Sequence, residues 1–302
     1  MKKIILLFGP TASGKSKLAI DLAQNYNGEI VNADSMQVYS EIKILSARPD
    51  EKYVKHHLYG CTSVNDNFSV GKWYTLATNK IKEINKKNKV AIVVGGTGLY
   101  FKVLIDGLVD IPEIPKIEMN LNPLDRQMMI NSYSNKYPGI FDHLDDLNDT
   151  QRLYRAIAVY DHTGMTVSEW HTKENKKNFQ TNDFIKVCLI PEKKEIEKRI
   201  QKRFDDMLNS GAVEEAKNFY KLEIWKKSLH TANSIIGLRE IHLYLSKKIS
   251  LDELKNDVLV RTRQYAKRQY TWQRGQMKDW KAFDDINYLD LQKKVSSYIS
   301  KT

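Results

Sequence analysis

Lys2-Lys3-Ile4-Ile5-Leu6-Leu7-Phe8-Gly9-Pro10-Thr11-Ala12-Ser13-Gly14-Lys15-Ser16 is the stretch whose reading decides the fold. Ile4 to Phe8 is apolar without alternation, as expected of a strand buried on both faces of a parallel sheet. The next eight residues fit G-x-x-x-x-G-K-[ST]. In that pattern the glycines let backbone N–H groups converge on phosphate oxygens, and a helix N-terminus adds partial positive charge. Lys15 supplies a point charge, and the Ser16 hydroxyl is placed to ligate Mg²⁺. From Lys15 to Asn25 the spacing of Leu18, Ala19, Leu22 and Ala23 predicts an amphipathic helix. A strand before the loop and a helix after it are the context this motif needs.

Outward from this junction the same alternation continues. Glu29 to Asn32 reads as a short strand leading into Asp34-Ser35-Met36-Gln37, and Gly71 to Asn85 as a helix. Val90 to Val94 reads as a buried strand ending in Gly95-Gly96-Thr97-Gly98. Ile111-Pro112-Glu113-Ile114-Pro115 is linker-like, and the chain is then polar and helix-leaning to about Gln180. A last strand returns over Phe184 to Pro191, and everything beyond Glu192 looks helical. The expected fold is α/β: a P-loop NTPase-like parallel sheet core flanked by helices, from residues 1–110 and 181–302, with a mainly helical insertion domain over 111–180.

Of the 302 residues, 41% are hydrophobic and 28% charged, which argues against wholesale disorder. Lys and Arg number 48 against 37 Asp and Glu, a net charge of +11. Such a surplus favours a polyanionic partner, although a basic surface also serves solubility alone. Cys61 and Cys188 match no metal-ligand spacing, and free thiols in a reducing cytoplasm are the expectation. The apolar run after Met1 is too short for a signal peptide. No later segment has the roughly 18 apolar residues of a membrane span. A cytoplasmic protein without membrane segments is expected.

Asp34 follows the second strand at the carboxyl edge, where ligands bind in doubly wound sheets. A carboxylate there suits a base for an attacking amine, and equally a helix N-cap. Gly95, Gly96 and Gly98 suit either close approach to a ligand or a plain Gly-rich turn, and Thr97 offers a hydroxyl. The strand from Val90 ends without the acid that usually holds metal in nucleoside triphosphatases, which counts against ATP hydrolysis. Arg199 and Arg203, four apart, share a helix face and suit an anion clamp or a solvated surface. The basic residues Arg152 and Arg155, and the spacing of Arg263, Lys267, Tyr270 and Arg274, suit nucleic-acid contact or plain solvation. A small-metabolite kinase and a nucleotide-switched RNA-binding protein are the competing classes.

Several of these segments together resemble one family, the tRNA dimethylallyltransferases, also called tRNA isopentenyltransferases. GPTASGKS (Gly9 to Ser16), NADSMQVY (Asn32 to Tyr39) and VVGGTGLY (Val93 to Tyr100) look like its N-terminal motifs, with His56-His57-Leu58 between. DTQRLYRAIAVY (Asp149 to Tyr160) with Thr163-Gly164 looks like its central motif. RIQKRFDDMLNSG (Arg199 to Gly211) and YAKRQYTW (Tyr265 to Trp272) look like its C-terminal motifs.

The resemblance implies a donor, dimethylallyl pyrophosphate, used with Mg²⁺. It implies an acceptor, N6 of the adenine 3′ of the anticodon in tRNAs reading U-starting codons. Carried over by position, Gly9, Pro10, Thr11, Ala12, Ser13, Gly14, Lys15, Ser16 and Arg203 would bind pyrophosphate, and Ser16 the metal. Asp34 and Thr97 would be catalytic. Asp34, Ser35, Met36, Gln37, Thr97, Gln151, Arg152, Leu153, Tyr154, Arg155, Arg239 and Arg268 would meet tRNA, and a monomer is expected. The chain departs from the family at Arg48, where Lys is commoner. It also departs over Ser234 to Arg239, matched only in part, and over Ile111 to Asn131, where it looks shortened. Two distant cysteines leave no zinc finger of the kind some members carry.

Overall fold

The structure, a computed structural model, describes residues 3–50, 52–66, 68–112, 114, 122–226 and 231–302. Glu113 and Pro115 of the linker-like stretch lie outside the described residues, as do residues 116–121, Met1 and Lys2. In chain order the elements are β1 (Ile4–Phe8), α1 (Lys15–Asn25), β2 (Gly28–Asn32), β3 (His56–His57), α2 (Val70–Lys86), β4 (Val90–Gly95) and α3 (Gly98–Asp106). There follow α4 (Pro123–Lys136), α5 (Thr150–Thr163), α6 (Val167–His171), β5 (Phe184–Leu189), α7 (Lys193–Asn209) and α8 (Ala212–Lys221). The chain continues with α9 (Leu238–Leu245), α10 (Leu251–Gln276), β6 (Lys281–Phe283) and α11 (Tyr288–Lys301). Two compact units form, one from Met1–Ile105 with Asn178–Thr302 and the other from Asp106–Lys177.

The larger unit holds a sheet in the order β3-β2-β4-β1-β5-β6, with every pair parallel. The strand with the densest apolar run, β1, lies inside it, flanked by β4 and β5, and is buried throughout. Phe8 is level with both Gly95 and Cys188. That register ends β1 and β4 together, so the loops after them emerge side by side at one edge. One face of the sheet packs Leu18 and Leu22 of α1 and Val295 and Ile299 of α11 into a common core. A separate core joins Val38, Tyr39, Ile42 and Leu45, downstream of Asp34, to Phe204, Phe219, Ile241 and Leu254 of the C-terminal helices. The segment after β2 is thus anchored by apolar burial rather than by regular structure.

Two strands depart from expectation. The chain beyond Glu192 is not wholly helical: β6 pairs Lys281, Ala282 and Phe283 with Val187, Cys188 and Leu189. Only Phe283 of these three is buried, so the edge strand carries no periodic signal. The other, β3, is two histidines pairing with Ile30 and Val31.

In the smaller unit α5 buries Leu153, Tyr154, Ala156, Ile157, Ala158 and Val159. Asp149 caps its start through Arg152 N–H, and Gly164, at φ 67°, ends it. Ile114, Ala158, Val159 and Val167 form a small core there, and an antiparallel bridge joins Leu108 to Lys176. Among the described residues no helix is long and apolar enough to cross a membrane.

Candidate active site at the carboxyl edge of the sheet

The loop between β1 and α1 turns through left-handed backbone at Ala12 (φ 62°) and Gly14 (φ 85°). Ser13 N–H donates to Pro10 O at 3.2 Å, and Gly9 N–H to Gly95 O at 3.3 Å. A Cβ at Gly9 would lie 2.7 Å from Ser13 Oγ and 3.2 Å from Leu189 Cβ, so a side chain there would have to displace Ser13. Lys15 and Ser16 open α1, where backbone N–H groups have no intrahelical acceptor. The Lys15 ammonium bonds Pro10 O at 3.2 Å. Burial pushes it down from 10.5 to about 8, Arg203 adds to that, and Asp34 opposes it. Burial likewise lowers Arg203, again opposed by Asp34. Both residues keep part of their surface exposed. Two desolvated cations against one carboxylate leave positive charge that suits an anion.

Asp34 is 8% exposed and is held from three sides. Asn32 Oδ1 accepts its N–H at 2.8 Å. Asn32 Nδ2 donates to the carbonyls of Asp34 and Leu58, at 3.0 Å each. Trp73 Nε1 donates to Asn32 O at 2.7 Å. Asp34 Oδ1 accepts Met36 N–H at 3.0 Å, and no helix begins there. The N-cap alternative therefore gives way to a side-chain-closed turn, with Oδ2 carrying no hydrogen bond among the described residues. Thr97 Oγ1 accepts Ser35 N–H at 2.9 Å and donates to Ser35 Oγ at 3.2 Å. Tyr265, on α10, also hydrogen-bonds Thr97; burial first, then Asp34, keeps its phenol protonated. Gln37 spends its amide nitrogen on the carbonyls of Ser46 and Ala47, 2.9 Å from each. The segment's own backbone is held by Glu215 of α8, which accepts N–H from Lys43, Ile44 and Leu45.

The glycines at the end of β4 and the start of α3 have a packing role that neither sequence alternative named. A Cβ at Gly95 would meet Ala33 O at 2.0 Å, one at Gly96 Gln269 Nε2 at 2.1 Å, and one at Gly98 Trp272 Nε1 at 2.1 Å. The space beside them is filled by the chain itself, largely by α10. Gln269 is a site residue that sequence reasoning passed over: it is 4% exposed, and its Oε1 accepts Thr11 N–H at 2.8 Å. Its Nε2 donates to Gly96 O at 2.9 Å. The signal available was its position in YAKRQYTW, one turn beyond Tyr265 and three residues before Trp272.

The structure gathers Gly9 to Ser16, Asp34, Ser35, Thr97 and Arg203 at one edge. Arg199 also points there, with an Nη1 4.0 Å from a Cβ built at Gly14. Arg239 and Arg268 are exposed on α9 and α10 of the same unit. Tyr270 is withdrawn from the basic face expected of α10, since its hydroxyl donates to Pro191 O. Gln151, Arg152 and Arg155 belong to the smaller unit and are exposed on α5. Leu153 and Tyr154, grouped with them as tRNA contacts, are 0% and 4% exposed. Their side chains are core, on a helix that also buries Ala156, Ile157, Ala158 and Val159 and leaves Gln151, Arg152 and Arg155 outside. Among the described residues no three His, Cys, Asp or Glu groups gather as a metal site. The free cysteines are one exposed, Cys61, and one buried, Cys188.

This geometry defines a P-loop α/β protein whose phosphate loop brings two desolvated cations near a fixed carboxylate. A model of the IPP transferase family matches residues 37–276. A curated tRNA dimethylallyltransferase from Pelagibacter ubique is 43% identical, covering 99% of this chain and 95% of the relative. One from Rickettsia conorii is 40% identical over 92% of this chain and 78% of its own length. Of solved structures, a tRNA isopentenylpyrophosphate transferase from Bacillus halodurans superposes with TM-score 0.71 at 28% identity, covering 100% of this chain and 96% of that one. A eukaryotic dimethylallyltransferase, solved acting on tRNA, reaches TM-score 0.81 at 29% identity, covering 100% of this chain and 80% of its own. The chain belongs to the IPP transferase family, and it is a prenyl-transferring enzyme.

Proposed function

We propose that this enzyme moves a dimethylallyl group from dimethylallyl pyrophosphate to N6 of the adenosine 3′-adjacent to the anticodon, in tRNAs that read U-starting codons. The C1–O bond of the donor breaks, a C1–N6 bond forms, the N6 proton leaves to a base, and pyrophosphate departs. The observation that carries this reading is the pairing of Lys15 and Arg203 with Asp34. An exocyclic amine is a weak nucleophile, so most of the barrier must be lowered at the leaving group. Lys15, Arg203 and the amides opening α1 are aimed at such a group; one well-placed donor is worth about 3–4 kcal/mol. Asp34, with Oδ2 free, takes the amine proton, a role worth roughly 10²–10⁴-fold. Thr97, bonded to Ser35 and Tyr265, holds the wall between donor and base.

Mg²⁺ is part of the proposal. The residues fit it as they would in a shared site: the Ser16 hydroxyl and, among the described residues, no cluster of three His, Cys, Asp or Glu groups, which suits an ion that keeps waters and substrate phosphate oxygens as ligands. Bound, the ion would offset charge on the departing pyrophosphate. Ser35 and Met36, partly exposed at the edge, and exposed Arg239, Arg268, Gln151, Arg152 and Arg155 are the side chains offered to tRNA. Gln37 meets it with its amide oxygen or backbone, since its amide nitrogen is engaged. The target base must leave its stack to reach the site, at a cost of a few kcal/mol that loop nucleotides bear best. The same reading puts the enzyme in the cytoplasm, as a monomer. Incubation with labelled dimethylallyl pyrophosphate, bulk tRNA and Mg²⁺ tests it. Label is expected in tRNA as N6-dimethylallyladenosine. Label that stays in the donor while ATP is consumed would replace this reading with a kinase.

A further inference from the structure

We infer that Gln269 is a positioning residue that sets the spacing between the pyrophosphate loop and the wall carrying Thr97; this rests on the reading above. Thr11 and Gly96 belong to different loops, and one buried carboxamide ties them, accepting from Thr11 N–H at 2.8 Å and donating to Gly96 O at 2.9 Å. Thr11 N–H, at the third position of the phosphate loop, is thereby committed to protein and not to phosphate. Gly96 precedes Thr97, whose Oγ1 holds Ser35 beside Asp34. One amide therefore links the side that grips the leaving group to the side that carries the base.

Only a group that accepts and donates at once satisfies both loops. The contact is made possible at both ends: Gly96 has no Cβ to strike Nε2, and Ile196 and Ile200 of α7 pack with Ala266, one turn earlier on α10. Two further contacts of α10 reach the same wall, Tyr265 to Thr97 and Trp272 against Gly98. Being 4% exposed, Gln269 offers tRNA nothing to touch, unlike its exposed neighbour Arg268. Its effect should appear in turnover and in pyrophosphate affinity, and not in tRNA affinity.

Gln269→Glu separates positioning from mere packing. The carboxylate still accepts from Thr11 but meets Gly96 O with a lone pair. A neutral carboxylic acid restores both bonds, and burial favours that neutral form. Lys15, Arg199, Arg203, Asp34 and Tyr265 titrate or carry charge around these loops, and are common to the wild type. Rates are therefore compared as variant over wild type at each pH. Gln269→Met is expected to lower kcat about 10–100-fold, as displaced reacting groups do, with tRNA KM within about twofold. Gln269→Glu is expected to match that loss at pH 8 and to recover at least about tenfold relative to wild type by pH 6, as protonation proceeds.

The Kd for inorganic pyrophosphate with Mg²⁺ should follow the same pattern without turnover. A wild-type protein inactive on tRNA would thus end the functional reading while leaving this pattern measurable. A pH-independent ratio for Gln269→Glu, or a wild-type kcat in Gln269→Met, overturns the inference. If Gln269→Met does not fold, Gly96→Ala breaks the Nε2 contact from the other side, and an unchanged kcat and pyrophosphate Kd there overturn it equally.

Discussion

Lys15→Met should make the protein more stable while disabling it. Burial holds the Lys15 ammonium at about 8 instead of 10.5, with Arg203 adding to the fall. Keeping it charged in the folded chain therefore costs up to about 3 kcal/mol relative to water, at 1.36 kcal/mol per tenfold change. Lys15 as a whole keeps part of its surface exposed, and the side chain regains some packing as methionine, so a net gain of about 1–3 kcal/mol is expected when the charge is deleted. The sign follows from linkage. The folded value lies below the unfolded one, so the unfolded chain holds more protons between pH 8 and 10.5, and wild-type stability rises through that window. The penalty is complete below pH 8 and largely gone near pH 10. Lys15→Met should therefore melt about 2–6 °C higher at pH 7, and the advantage should shrink by more than half at pH 9.5. Methionine matches the length of the lysine stem, so the cavity term is small. Inorganic pyrophosphate with Mg²⁺ at 100 times its Kd should stabilise the wild type by about 2.7 kcal/mol and the variant far less. Differential scanning calorimetry at both pH values, with and without pyrophosphate, reads all four quantities. A variant that melts lower than wild type at pH 7, or gains equally from pyrophosphate, would refute the reasoning.

Asp34→Asn keeps an oxygen for Met36 N–H, so the turn should survive while kcat falls about 10²–10⁴-fold; a kcat within tenfold of wild type under single-turnover conditions would remove Asp34 as the base. Gly98→Ala puts a Cβ 2.1–2.5 Å from three atoms of the Trp272 indole, a rigid neighbour, and should cost at least about 2 kcal/mol in urea unfolding, with a changed tryptophan fluorescence; an unchanged midpoint contradicts the packing. His57 accepts or donates at 2.7 Å to Glu29, which also pairs with Lys89. Burial lowers His57, while at Glu29 burial is outweighed by the bonds from Lys89 and His57. Both folded values are depressed, so His57 withdraws stability as pH falls below 6.5 and Glu29 does so below 4.5, by up to about 1.4 kcal/mol per unit for each group. His57→Gln should flatten the stability profile between pH 6.5 and 5, and parallel profiles for variant and wild type would show that His57 does not titrate there.

What the sequence made legible is what depends on neighbours along the chain. The apolar run Ile4 to Phe8, the phosphate loop, and α1 over Lys15–Asn25 each announce themselves through local spacing, and the parallel sheet follows from their alternation. Asp34 was legible as a position but not as a role, because an N-cap and a catalytic carboxylate share the same local pattern; Asn32, Leu58 and Trp73 resolve it, and two of those are more than twenty residues away. The edge strand β6 buries one side chain of three and so leaves no period to read. Leu153 and Tyr154 share a motif with Arg152 and Arg155, yet a helix divides adjacent residues between faces, and a motif does not say which face is core. Gln269 is the sharpest case. Its partner Thr11 is 258 residues upstream, and nothing in either segment's own composition asks for the other. The glycines at 95, 96 and 98 show the same limit from the opposite side: their absence of side chains was plain, but the occupant of the space, Ala33 or α10, was fixed only by closure of the sheet. Chemistry built from one loop could be read from that loop, whereas the spacing between loops, on which transfer between two bound substrates depends, is a property of tertiary contact alone.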